Sequence, residues 1–296
     1  MKIAIVQSKP HKGQLEHNLE ELGAIFAQLS SEPAPYDLVV LPEAALTGYF
    51  LEGGVYELAR PAEVFAGLVA SRWRTAAPGH DVDLTIGFYE NALGTYHNSS
   101  LYLEIRGDAH RIAHVHRKLF LPTYGVFDEE RFLSRGRDLR AFDTRFGRVA
   151  MLICEDVWHA IVPTLAVLDG ARYLIVPSAS PGRGIGFRDD GGEPMLESVA
   201  YWRDALRLHA AEHGVFILYA GLAGFEGGKG MTGSSCVVDP SGRVVATAPM
   251  LGAAILRVSI DPGEIDLARA QLPLLGDLRS VLPDLLPGLL EASRRR

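Results

Sequence analysis

The feature that most constrains this chain is a sustained alternation of short β-branched apolar runs with stretches of helical periodicity, unbroken by any low-complexity linker. Lys2–Gln7 (KIAIVQ) reads as a strand and Gln14–Leu29 as a helix, because leucines, Ile25 and Phe26 recur at helical spacing. Asp37–Leu41 is a second strand closed by Pro42, and Tyr56–Trp73 a helix interrupted near its start by Pro61. Between Leu84 and Val115 three runs separated by Asn91, Gly94, Gly107 and Asp108 predict an antiparallel meander. In the second half Arg148–Cys154, Tyr173–Val176 and Val215–Tyr219 read as strands, and Val157–Leu168 and Met195–His213 as helices. Ser235–Val238 and Arg243–Thr247 form a hairpin around a DPSG turn, and Ala253–Ile260 adds a strand. This predicts an α/β fold in which residues 1–260 make one domain of two α/β halves, followed by a Leu- and Pro-rich arm, 261–296, packed on the body or on a partner subunit.

Composition narrows the function classes. A chain of 296 residues that is 48% hydrophobic can bury a large core, and its net charge of −7 gives no basic surplus for nucleic acid. The only cysteines, Cys154 and Cys236, form no C-x-x-C pair, so neither a disulfide framework nor a zinc knuckle is expected. The apolar run at the N-terminus is too short for a signal peptide, and no run approaches membrane-spanning length; the expected location is cytoplasmic, with no membrane partner.

Glu43, Lys118 and Cys154 each stand at the end of a predicted strand, where open α/β sheets place their ligands. Taken singly they are a capping glutamate, a surface lysine and an inert thiol; their context says more. The segments LPEAALTGY (41–49), HRKLFLPTYGVFDEERF (116–132) and LICEDVW (152–158) resemble the three catalytic blocks of the carbon-nitrogen hydrolase, or nitrilase-like, superfamily. YGVFDE, the CED-aromatic run and SASP at 178–181 resemble most the glutamine amidotransferase domain of glutamine-dependent NAD synthetases, although no second, ATP-using domain or G-x-x-x-x-G-K-[ST] loop follows.

The resemblance implies a four-layer α-β-β-α sandwich of two mixed sheets and a homodimer formed through Val157–Leu168 and Met195–His213, with Leu272–Leu290 as a strap. It implies a thiol amidohydrolase that cleaves a linear C–N bond through a cysteinyl thioester and releases ammonia. Cys154 is then the nucleophile, its thiolate favoured by a following helix N-terminus and by Lys118. Glu43 is the general base and acid, and Lys118 stabilises the oxyanion. Glu129, eleven residues past Lys118, positions the lysine, with Glu130 as the alternative. Tyr49, Tyr124 and Trp158 are expected to line a narrow acyl pocket, Glu155 to bind substrate, and Ser178, Ser180, Arg183 and Arg188 to meet the polar end of a small ω-amide such as glutamine. No cofactor or metal is called for. A carbamoyl amine is the alternative substrate, and a subunit supplying ammonia to a separate synthetase the alternative role.

Three features carry less. His110, His114 and His116 could share a strand face and hold a metal, but read more simply as an exposed face beside Arg111 and Arg117. Gly182, Gly184 and Gly186 read as a mobile loop over the site rather than a phosphate loop, and Cys236 as a small core residue.

Overall fold

In the computed structural model, which describes residues 1–186 and 195–295, the first half runs β1 (Lys2–Gln7), α1 (Leu15–Ser30), β2 (Leu38–Val40), α2 (Val55–Leu58), α3 (Ala62–Ala76), β3 (Val82–Ala92), β4 (Thr95–Arg106) and β5 (Ala109–Arg117). The second runs β6 (Phe142–Thr144), β7 (Gly147–Met151), α4 (Ile161–Leu168), β8 (Tyr173–Ser178), β9 (Ile185–Gly186), β10 (Met195–Leu196), α5 (Glu197–His213) and β11 (Phe216–Gly221). A hairpin, β12 (Ala223–Glu226) and β13 (Lys229–Thr232), precedes β14 (Cys236–Val238), β15 (Val244–Thr247), β16 (Ala254–Ser259), α6 (Gly263–Gln271) and α7 (Leu274–Arg294).

Two six-stranded mixed sheets result, ordered β16-β1-β2-β3-β4-β5 and β15-β14-β11-β8-β7-β6. Each has a parallel trio, β1-β2-β3 or β7-β8-β11, flanked by one antiparallel strand on one side and a two-strand meander on the other. The halves are thus structural repeats, although the sequence shows none. Alternation along the strands sends Ile3, Ile5, Val40 and Tyr102 from one sheet against Met151, Ile175, Phe216 and Leu218 from the other. The opposite faces bury Phe26, Phe65 and Trp73 of α1 and α3, and Val162, Ala166 and Leu206 of α4 and α5, which completes the four layers.

Several expected boundaries shift for local reasons. The Tyr56–Trp73 helix is two helices, because Pro61 cannot continue the first and sits directly before the second. The strand expected to reach Cys154 stops at Met151, and Cys154–Trp158 is a 3-10 turn rather than the approach to a helix starting at Val157. The helix proper begins at Ile161, with Pro163 in its first turn, where a missing N–H costs nothing. Likewise α5 starts at Glu197 because Met195 and Leu196 pair with Gly186 and Ile185. The β12–β13 hairpin was not expected, although Gly227-Gly228, both at positive φ, is a strong two-residue turn signal. Arg188 lies outside the described residues. The exposed-face reading of the three histidines is corrected at His116, which is buried, its Nε2 on Asp156 Oδ2 at 2.9 Å; His114 stacks on Phe142. Cys236 is buried as expected. Beyond 260 the chain forms two helices, anchored by Ile265 and Leu275, and no helix among the described residues is long and apolar enough to cross a membrane.

Candidate active site

Glu43 follows β2 and a Leu-Pro pair, and the chain then turns sharply at Ala44, which has φ 50°. Gly87 of β3 lets the two segments nest: a Cβ there would lie 2.5 Å from Glu43 Cα. Lys118 leaves the end of β5, its N–H donating to Asn98 O at 2.9 Å, and its side chain is fully buried. The ammonium bridges two carboxylates, Glu43 Oε1 at 2.8 Å and Glu129 Oε1 at 3.0 Å. Asn98 Nδ2 donates to the same two oxygens at 2.7 and 3.1 Å, and the Ala179 N–H to Glu43 Oε2 at 2.7 Å.

A buried ammonium survives only with close counter-charges. Burial alone would lower the Lys118 pKa, but Glu129 and Glu43 outweigh it and hold the pKa well above the ordinary value, so the lysine stays charged. Burial pushes Glu129 up to about 7, with the Glu43 charge adding to it and Lys118 opposing. The Glu129 carboxyl therefore holds a proton that leaves near neutrality.

Cys154 opens its 3-10 turn with φ 48°, a left-handed conformation that costs a non-glycine residue on the order of 1–3 kcal/mol. Asp156 fixes this turn. Its buried carboxylate accepts from Ile153 N (3.0 Å) and His116 Nε2 (2.9 Å) on one oxygen and from Leu119 N (2.9 Å) and Phe120 N (3.1 Å) on the other. The expected thiolate is corrected: burial, then the Glu43 charge, push the Cys154 thiol far up, and Lys118 offsets this only in part. A 3-10 turn this short supplies little dipole. The thiol is protonated, with a carboxylate beside it to take the proton.

A cavity of about 520 Å³ opens on Cys154, walled among others by Tyr124, Phe127, Glu155, Trp158 and Arg183. Tyr124 donates to Glu155 Oε2 at 3.1 Å, and Trp202, buried behind the wall, donates to Ser180 Oγ at 2.9 Å. Arg183 is exposed at the rim, its guanidinium 5.7 Å from the Phe127 ring, and its N–H donates to Ser198 Oγ at the start of α5. The cavity thus presents carboxylate and guanidinium together on aromatic walls.

Glu43, Lys118, Glu129 and Cys154 are brought together, and Tyr124, Glu155, Trp158, Ser180 and Arg183 line the cavity with the thiol. Tyr49 lies elsewhere, behind Glu129, lining a second cavity of about 220 Å³ with its ring 5.6 Å from Lys118 Nζ. Ser178 is fully buried at the end of β8 and does not line the cavity. Glu130 is exposed and outside the cluster. The sequence reading missed Asn98 and the four-fold acceptor Asp156. The polar run His97–Ser100 at the start of a strand that turns apolar from Leu101 was the available signal for Asn98.

Known proteins share this arrangement of chain. The curated glutamine-dependent NAD(+) synthetase of Thermotoga maritima is 29% identical over 266 residues, 89% of this chain but 42% of that protein, so the chain spans about two-fifths of that relative's length. The citrullinase of Francisella tularensis is 25% identical over 295 residues, covering 96% of this chain and 97% of its own. Among solved structures, a carbon-nitrogen hydrolase from Helicobacter pylori superposes with a TM-score of 0.81 at 24% identity, covering 97% of this chain and 98% of that one. The family model for carbon-nitrogen hydrolase matches residues 2–270, and the chain belongs to that family.

Proposed function

We propose that the protein is a thiol amidohydrolase of small ω-amides, with Cys154 as nucleophile, Glu43 as base and acid, Lys118 as oxyanion stabiliser and Glu129 as the residue that positions Lys118. The observation that carries this is the buried ammonium held between two carboxylates behind a thiol that opens to a cavity. Glu43 takes the thiol proton as sulfur adds to the carbonyl carbon, and the oxyanion forms against Lys118. The same proton passes to the leaving nitrogen, ammonia departs and a thioester remains; Glu43 then deprotonates the water that cleaves it. Glu155 and the Arg183 guanidinium would meet the ammonium and carboxylate of an amino-acid substrate such as glutamine.

A second reading, hydrolysis of a carbamoyl amine, draws on the citrullinase that this chain matches along nearly its full length, because citrulline presents the same zwitterionic head and a ureido end. Hand-over of ammonia to a separate synthetase is the corresponding role if the protein works beside a partner. The exposed Leu285, Leu286, Leu289 and Leu290 of α7 suit a strap across a second copy, which light scattering would report as a dimer.

The test is ammonia release from glutamine, citrulline and uncharged aliphatic amides, with intact mass used to trap the acyl adduct. Cys154→Ala is expected to lose both turnover and adduct while remaining folded. Turnover unchanged in that variant would remove the proposal.

A further inference from the structure

On the far side of the first sheet, a groove of about 630 Å³ runs between α1 and the β1–β16 edge, and His11 and Glu21 stand on its wall. His17 and Glu21 are one turn apart on α1, so their side chains share a face. His11 reaches the same point from the loop before the helix. Its Nε2 lies 3.5 Å from Glu21 Oε1, and His17 Nε2 lies 3.4 Å from that same oxygen. Ligand atoms at 2.0–2.1 Å from a tetrahedral zinc ion stand roughly 3.3 Å apart, so the two nitrogen–oxygen separations are already near those of a filled site.

The loop is held in place independently of these side chains. Buried Asn18 accepts from His11 N at 2.7 Å and donates to His11 O and Leu46 O, both at 2.8 Å. The imidazole of His11 is thereby presented to α1 by a backbone locked on both sides. All three groups are exposed, which leaves an ion a path in and a fourth position for water. The other convergent set among the described residues, His209, Glu212 and His213, is less suited to a cation. Arg269 lies against it, Nε 3.3 Å from His213 O, and disfavours added positive charge there.

We propose that His11, His17 and Glu21 form a surface site for a divalent transition-metal ion of the zinc class, separate from the Cys154 site. Bound there, the ion would add to the Asn18 bonds that already hold the loop after β1 against α1. The test uses untagged, chelator-stripped full-length protein in a Cys154→Ala background, so that the reactive thiol cannot ligate. Cobalt(II) is expected to give the visible absorption of a tetrahedral nitrogen–oxygen site at one equivalent, displaced by zinc. Zinc is expected to raise the unfolding temperature. His17→Ala and Glu21→Gln should each weaken zinc binding by about tenfold or more and remove the thermal shift, whereas His110→Ala should change neither. With the native Cys154, both site variants should keep full turnover. Absence of saturable zinc binding overturns the proposal, as does binding that is equal in wild type, His17→Ala and Glu21→Gln.

Discussion

His116 Nε2 sits 2.9 Å from Asp156 Oδ2, and this buried pair ties the end of the strand that presents Lys118 to the turn that presents Cys154. Asp156 also accepts three backbone N–H groups from both segments. Asp156→Ala would leave these donors unpaired inside the protein. The expected loss is about 3–5 kcal/mol of unfolding free energy in urea titration, accompanied by a fall in kcat; Asp156→Asn should lose less.

In the proposed mechanism Lys118 is as much a folding residue as a chemical one. Lys118→Ala should remove oxyanion stabilisation, about 3 kcal/mol in kcat/KM, and also leave Glu43 and Glu129 facing each other without their shared cation. Protonating one carboxylate relieves that repulsion, so the variant's stability deficit should be larger at pH 8 than at pH 5. Equal deficits in urea unfolding at the two pH values would contradict the shared-cation arrangement.

The carboxyl of Glu129, raised from 4.5 to about 7 by burial, binds its proton more tightly folded than unfolded. Its contribution to stability is therefore complete below the ordinary value of 4.5 and is lost as pH rises toward 7. Activity should run the other way, because an ionised Glu129 is what holds the Lys118 ammonium in place in the proposed mechanism. An acid limb near pH 7 in kcat/KM is expected. In Glu129→Gln, which lacks the titrating carboxyl, that limb near pH 7 should disappear and the plateau should drop.

Arg183 is expected to read the substrate's charge. Arg183→Ala should lower kcat/KM for glutamine relative to an uncharged amide of similar length by roughly tenfold or more, with little effect on the uncharged amide. A ratio untouched by the substitution would sink the amino-acid assignment and leave the thiol chemistry standing.

Much of this was legible in the sequence where the pattern is local. The period-2 and helical runs located the strands and helices, and the LPEAALTGY, HRKLF and LICEDVW segments marked Glu43, Lys118 and Cys154. What could not be read depends on contacts across the chain. Asn98 and Lys118 meet through strand pairing, and Asp156 looks like a helix-start residue until four donors from three places converge on it. The thiol's protonation is likewise set by how completely the folded protein buries it, a quantity that the turn sequence does not encode.

Glu43 and Lys118 stand at strand ends of the first sheet, whereas Cys154 and Ala179 follow strands of the second. The proposed reacting groups are thus contributed by two sheets packed face to face through their inner faces. A slippage of one sheet over the other would leave every strand and helix intact yet part the base from the thiol. Turnover should consequently be a finer gauge of inter-sheet alignment than circular dichroism. Small-to-large changes at Ala220, deep in that interface, should silence the enzyme at temperatures where its secondary structure is still whole.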